Sequence, residues 1–267
     1  MISFDSVKIA ESPQQAYELC QNRNNRIIGG MMWLRMSERH YSSVVDLSGL
    51  GLEKIEDTAE SFKIGAMTTL RDMEKSEKLK QTFGNVFSDC VRHIVGVQFR
   101  SMATVGGSVF GRFGFSDVLT ALMAFDSYVE TYKHGIIPLC DFAKLPYEKD
   151  VLLNIIIKKD GTKAYYSSFR NEDKDFPVIT VCVSEKDGSF SATVGARPSK
   201  AEKIFDEEGI LTDFYAKTGD EREAAAEDFG KYVCGKLDFN TNMRAGGKYR
   251  EKLAGIYIKR ALMGDMR

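Results

Sequence analysis

The stretch Thr104-Val-Gly-Gly-Ser-Val-Phe-Gly-Arg-Phe-Gly-Phe-Ser-Asp-Val-Leu-Thr-Ala-Leu-Met-Ala-Phe125 (TVGGSVFGRFGFSDVLTALMAF) sets Gly106, Gly107, Gly111 and Gly114 within nine residues, just before an apolar segment. Glycine gives up more conformational freedom on folding than any other residue. A cluster therefore signals positive φ angles or a backbone that something approaches closely. Ser116-Asp117 supplies an N-cap pair for a helix carrying Val118, Leu119, Leu122 and Met123. The stretch is either a tight connection or a loop that wraps a ligand.

Two other places share its character. Ile27-Ile28-Gly29-Gly30-Met31-Met32-Trp33 reads as a strand running into two glycines and then a helix. Ile64-Gly65-Ala66-Met67-Thr68-Thr69 reads as a strand running into a turn of small and hydroxyl residues. Backbone N–H groups exposed at a strand end, above all at a helix N-terminus, suit an anion such as a pyrophosphate. The blander readings stand beside this one. Glycine is the default turn residue, Met31, Met32 and Trp33 are ordinary core residues, and Thr68, Thr69 and Asp117 are ordinary helix caps.

Outward from these loops, Ser12-Pro13-Gln14-Gln15 has the form of a helix start running to Cys20, with Gln15 reaching back. Strands are expected at 4–9, 26–28, 43–47, 61–65, 127–132, 151–158, 163–170, 178–184 and 190–195, and helix over 68–91. Lys186-Asp187-Gly188-Ser189 reads as a hairpin turn. Beyond Pro198 the pattern is helical and charged, ending on a helix with Tyr249, Leu253, Ile256 and Tyr257 on one face. From Thr241 to Arg267 seven basic residues face two acidic ones, which reads first as a solvated face and second as a docking surface.

The chain has 267 residues, 43% hydrophobic and 28% charged, with a net charge of −1, giving no reason to expect nucleic acid or an anionic membrane as partner. Neither a bilayer-spanning apolar run nor a signal-peptide pattern is visible, so a cytoplasmic location is expected. Cys20, Cys90, Cys140, Cys182 and Cys234 are far apart, and so are His40, His93 and His134. No disulfide framework, zinc site or iron–sulfur site is expected within the chain, and no catalytic signature of the common kinds is present.

Taken together, the segments resemble the FAD-binding subunits of the molybdenum hydroxylases, the family of xanthine, aldehyde and carbon monoxide dehydrogenases. IIGGMMWL at 27–34 is similar to the family's AGGTDLL-like loop, IGAMTTL at 64–70 to its IGAxTTL, and RSMATVGGSVFGRFGFSD at 100–117 to its RNxATIGGNxxxxxPxSD. GARPSKA at 195–201 and AGGKYREKLAGIYIKRAL at 245–262 resemble a turn and a helix of its C-terminal domain. The resemblance implies an α+β fold: a PCMH-type FAD-binding domain over 1–160, made of two subdomains (about 1–57 and 58–160). A C-terminal domain over 161–267, with a three-stranded antiparallel sheet and helices, follows it.

It also implies a site for non-covalently bound FAD. Ile27, Ile28, Gly29, Gly30, Met31, Met32 and Trp33, together with Thr104, Val105, Gly106, Gly107 and Ser108, hold the pyrophosphate and ribityl parts through backbone N–H groups. Gly65, Ala66, Thr68 and Ser116 complete the cradle, and Asp117 accepts from FAD hydroxyls. Leu152 packs near the flavin, and Tyr166 falls near a common lysine of the family. Met31 and Met32 replace a threonine and a polar residue, Ser108 an asparagine and Phe115 a proline. Side-chain contacts are lost while backbone donors remain, so FAD binding is expected to be weaker. The implied function is an electron relay from [2Fe-2S] clusters of an iron–sulfur subunit, fed by a molybdopterin subunit, through FAD to an external acceptor such as NAD. The alternatives are a self-sufficient flavin reductase of the same broad fold and a degenerate structural subunit.

Overall fold

Strands β1 (Ser3–Ile9), β2 (Asn25–Ile28) and β3 (His40–Asp46) pair in parallel in the order β1-β3-β2, and helix α1 (Pro13–Gln21) makes the first crossover. This comes from a computed structural model that describes residues 1–265. Helix α1 starts where the sequence places it: Ser12 Oγ accepts the Gln15 N–H at 3.1 Å, and Gln15 Oε1 accepts the Glu11 N–H at 2.6 Å. The helix buries Ala16 and Cys20 against Val45 and Leu47. The helix expected after Trp33 does not form. Met31 takes a φ of 59°, which an L-residue helix cannot contain, and only a single 3-10 turn, Leu34–Met36, follows.

The second sheet is antiparallel in the order β4-β5-β8-β6-β7, from β4 (Ile55–Asp57), β5 (Ser61–Gly65), β6 (Ser127–Thr131), β7 (Gly135–Pro138) and β8 (Leu152–Lys158). Between β5 and β6 the chain makes six short helices: α2 (Leu70–Lys75), α3 (Glu77–Phe83), α4 (Val86–Val91), α5 (Val97–Arg100), α6 (Val105–Phe110) and α7 (Asp117–Met123); α8 (Leu139–Lys144) precedes β8. The helical run expected over 68–91 is thus three helices. Ser76 caps a new start by accepting the Leu79 N–H, and Gly84 breaks out at φ 68°. Helix α7 is buried along its whole length among Phe87, Phe125 and Ile155.

The third sheet holds β9 (Lys163–Phe169), β10 (Ile179–Lys186), β11 (Ser189–Gly195) and β12 (Glu202–Phe205) in the order β12-β11-β10-β9, with α9 (Gly219–Gly235) and α10 (Gly247–Arg260). The hairpin turn forms at Asp187-Gly188 with both φ angles positive, at 50° and 80°. Strand β12 corrects two expectations, a three-stranded sheet and a purely helical chain beyond Pro198. Four residues pair antiparallel with β11 from Ser191 to Val194, closing an edge that would otherwise stand open. Strands β10 and β11 are buried on both faces. Val181, Val183 and Val194 pack on α9 and α10, while on the other face Cys182 joins the α7 core and Thr180 Oγ1 lies 3.0 Å from Thr120 Oγ1. The third sheet therefore seats directly on α7, which packs against the second sheet.

Candidate cofactor-binding cleft

The three glycine segments meet, with residues 102–107 sandwiched between the other two. On one side, a Cβ on Gly30 would lie 1.5 Å from the Met102 carbonyl oxygen, and one on Gly29 would lie 2.7 Å from Thr104 Oγ1. On the other side, the Val105 N–H donates to Thr68 O and the Gly106 N–H to Ala66 O, both at 2.9 Å. A Cβ on Gly106 would come within 2.5 Å of that Ala66 oxygen. These glycines let the protein's own backbone close upon itself. None of the four glycines between 106 and 114 has a positive φ.

Gly107 differs. A Cβ there would meet only Thr104 Oγ1, at 3.1 Å, and the residue faces a cleft of about 560 Å³. Residues 27–33, Ala66, Thr104, Gly106, Gly107, Ser108, Ser116, Asp117 and Leu152 line this cleft, so most of the residues singled out in the sequence come together. Gly65, Thr68, Val105 and Tyr166 do not line it. Gly65 packs on the Leu52 carbonyl, Thr68 is fully buried with its hydroxyl on Lys54 O, Val105 is a core residue and Tyr166 lies behind Asp117.

The donors are unevenly distributed. At the start of α6 the N–H groups of residues 105–108 are all taken: Thr104 Oγ1 accepts from Gly107 at 3.1 Å, and Thr104 O accepts from Ser108 at 3.2 Å. This corrects the expectation that 105–108 offers open backbone donors. Among the described residues, no chain acceptor meets the N–H groups of Gly29, Gly30 and Met31. The positive φ of Met31 turns the chain there, at the cleft wall. Side-chain hydroxyls are occupied too: Ser116 caps α7 and donates to Ser108 O at 2.9 Å, and Ser108 donates to Thr104 O at 3.1 Å.

Asp117 is held within the chain through one of its two carboxylate oxygens. Its Oδ1 accepts from the Tyr166 hydroxyl and, at 2.7 Å, from Arg170, whose side chain is nearly as buried as its own. Burial pushes the Asp117 carboxyl above the ordinary carboxylate range against the opposing pull of Arg170 and Tyr166. Burial also raises the Tyr166 phenol, with the Asp117 charge adding to the effect, so Tyr166 stays a neutral donor. Tyr166 therefore acts on the cleft through Asp117.

Sequence reasoning missed Arg170, Asp150 and an aromatic wall, all of which line the cleft. The Trp33 ring lies 5.9, 5.6 and 5.5 Å from those of Phe113, Phe115 and Phe176, and Phe113 stacks on Phe115 at 5.2 Å. Phe113 and Phe115, two apart in the glycine-rich loop 111–116, were the available signal. Trp33 stays 55% exposed at this wall.

Residues 3–159, more than half of the chain, match the family model described as the FAD binding domain in molybdopterin dehydrogenase, and the chain belongs to that family. It is an oxidoreductase-family subunit of the molybdenum hydroxylase type whose cofactor is FAD. The glyceraldehyde dehydrogenase medium chain of Sulfolobus acidocaldarius is 26% identical over 194 residues, covering 66% of this chain and 68% of its own. Quinoline 2-oxidoreductase from Pseudomonas putida 86 superposes with a TM-score of 0.82 at 17% identity over 98% of both chains. Carbon monoxide dehydrogenase from Hydrogenophaga pseudoflava, in a form lacking the Mo-pyranopterin moiety, superposes at 0.80 and 19% identity, covering 96% of this chain and 95% of that one. These two show that the fold is shared. The cleft fits FAD: Gly107 leaves a gap that any side chain would fill, residues 29–31 offer unclaimed donors, and the walls are largely apolar. Among the described residues, no helix is long and apolar enough to cross a membrane.

Proposed function

We propose that this chain is the electron-transferring flavoprotein subunit of a molybdenum hydroxylase. Residues 1–160 form its FAD-binding domain and 161–267 a C-terminal domain that docks on it. Bound FAD supplies reversible one- and two-electron chemistry; the protein binds, orients and tunes it. The N–H groups of 29–31 would hold the pyrophosphate, Gly107 would give it room, Leu152 and Trp33 would line the cofactor, and Asp117, fixed by Arg170 and Tyr166, would set the charge at the cleft floor. Electrons come from [2Fe-2S] clusters of an iron–sulfur subunit, which a molybdopterin subunit reduces at the expense of organic substrate. They leave to an external acceptor, NAD among the candidates.

The observation that carries this reading is the glycine-lined cleft within residues that match the FAD binding domain in molybdopterin dehydrogenase, with other ionisable side chains beside it held in ion pairs. Asp117 pairs with Arg170, Asp175 with Arg244 and His93 with Asp173, and Lys174 also reaches Asp173. A self-sufficient reductase needs a free proton donor beside its substrate, whereas a relay does not; Asp150 is the cleft carboxylate outside these ion pairs, and backbone donors fix its Oδ1. The test is co-expression with the iron–sulfur and molybdopterin chains of the same source, followed by size-exclusion chromatography and substrate-driven flavin reduction. The expected result is a stable assembly in which substrate bleaches the flavin, while the isolated chain is reduced by dithionite alone. Turnover of an organic substrate by the isolated chain at enzymatic rates, on the order of 10 s⁻¹, favours the self-sufficient reductase. A chain that never takes up FAD favours the degenerate subunit.

A further inference from the structure

Asp150 stands just before β8, two residues from Leu152, and both line the cleft, while Val151 between them joins the apolar cluster of α1 and β3. Asp150 is 4% exposed. Its Oδ1 is fixed by two backbone donors, the Lys133 N–H at 3.0 Å and the Val151 N–H at 2.7 Å. Its Oδ2 is buried and has no partner. The two nearby lysines are directed elsewhere: the Lys149 ammonium donates to Gln21 O at 3.2 Å, and that of Lys133 pairs with Glu148.

Other buried polar atoms also lack partners, among them hydroxyls of Ser37, Ser167 and Thr193 and nitrogens of Arg170, Arg222 and Arg250. Arginine spreads its charge over several nitrogens; Arg170 still donates to Asp117 and Ser168, and Arg250 to Val178 O and Ala196 O. Among the described residues, Asp150 alone buries a carboxylate oxygen this way. An unpaired buried acceptor carries the full desolvation penalty of its group, larger for a charged one, so a partner from outside the chain is the arrangement that removes it.

We infer that Asp150 is a cofactor-binding residue whose Oδ2 accepts a hydrogen bond from a donor of the bound FAD. The inference rests on the reading of the cleft as the FAD site. FAD offers such donors in both halves: the ribose hydroxyls and adenine amine on one side, the ribityl hydroxyls and flavin N3–H on the other. The carboxylate, held rigidly by its other oxygen, is preorganised to select a donor over an acceptor at that point.

Asp150→Asn tests this. The amide oxygen keeps both backbone bonds, and the amide NH2 replaces the acceptor by a donor. FAD is titrated into the apoproteins, and the thermal midpoint of each apoprotein is measured. The variant should bind FAD about ten- to a hundredfold more weakly, with an apoprotein midpoint equal to or above that of the wild type. Competition with ADP and with riboflavin should show the loss for one of the two, identifying the half of the cofactor that carries the donor. FAD affinity within twofold of wild type overturns the inference, and so does an equal loss with both competitors or a lowered apoprotein midpoint, the marks of a disturbed turn. Failure of the wild-type chain itself to bind FAD contradicts the reading of the cleft, and that measurement comes first.

Discussion

Gly29-Gly30 and Gly106-Gly107 look alike in sequence, border the same cleft and do different work. Gly106 exists for packing: its N–H is spent on Ala66 O, and its missing Cβ lets α6 rest on residue 66. Gly107 beside it has one close neighbour, Thr104 Oγ1, and otherwise borders the cleft. Gly30 combines the two roles, since its missing Cβ admits the Met102 carbonyl while its N–H stays unclaimed. A glycine pair at a cofactor loop is thus partly architecture and partly site. Each residue must be assigned by what its absent side chain would strike.

The comparison can be broken by substitution. Gly30→Ala sets a methyl group on a backbone carbonyl that cannot step aside, so the apoprotein should lose about 3 kcal/mol or more and FAD binding with it, read by chemical denaturation and flavin content. Gly106→Ala should cost about 2 kcal/mol through its contact with Ala66. Apoprotein stabilities at wild-type level in both variants would show that the loops do not stack as described. Thr104→Ala removes the cap that accepts the Gly107 N–H and should cost about 1 kcal/mol, and the freed N–H should leave FAD affinity unchanged or improved. Gly107→Ala is the smallest effect on stability, within about 0.5 kcal/mol, yet it should weaken FAD binding measurably. A Gly107 variant that unfolds while binding FAD normally would reverse the assignment of the two glycines.

Much of the fold was legible because its signals are local. The Ser12 cap, the Asp187-Gly188 turn, the Ser116 cap and the principal strands each lie within a few residues of what determines them. The short edge strands β4, β7 and β12 were not legible, since three or four residues carry too little periodicity and owe their pairing to a neighbouring strand. The site divides in the same way. That the glycine segments converge followed from the family resemblance. That the donors of 105–108 are consumed, and that Arg170 reaches Asp117 across 53 positions, depends on packing that no local pattern records. Asp150 was hidden for a similar reason: an acidic residue before a strand is commonplace, and only its orphaned oxygen marks it.

Trp33 is the one tryptophan of the chain and sits on the cleft wall among Phe113, Phe115 and Phe176, so its emission is a probe placed by the protein itself. The direct test that FAD occupies this cleft is a titration of apoprotein with FAD, following Trp33 fluorescence with correction for absorption by the ligand. Saturable quenching that ends at one equivalent, and shifts to higher FAD concentration in Gly107→Ala, is the predicted result. FAD that co-elutes with the protein yet leaves Trp33 emission unchanged, or quenching without saturation, would contradict it.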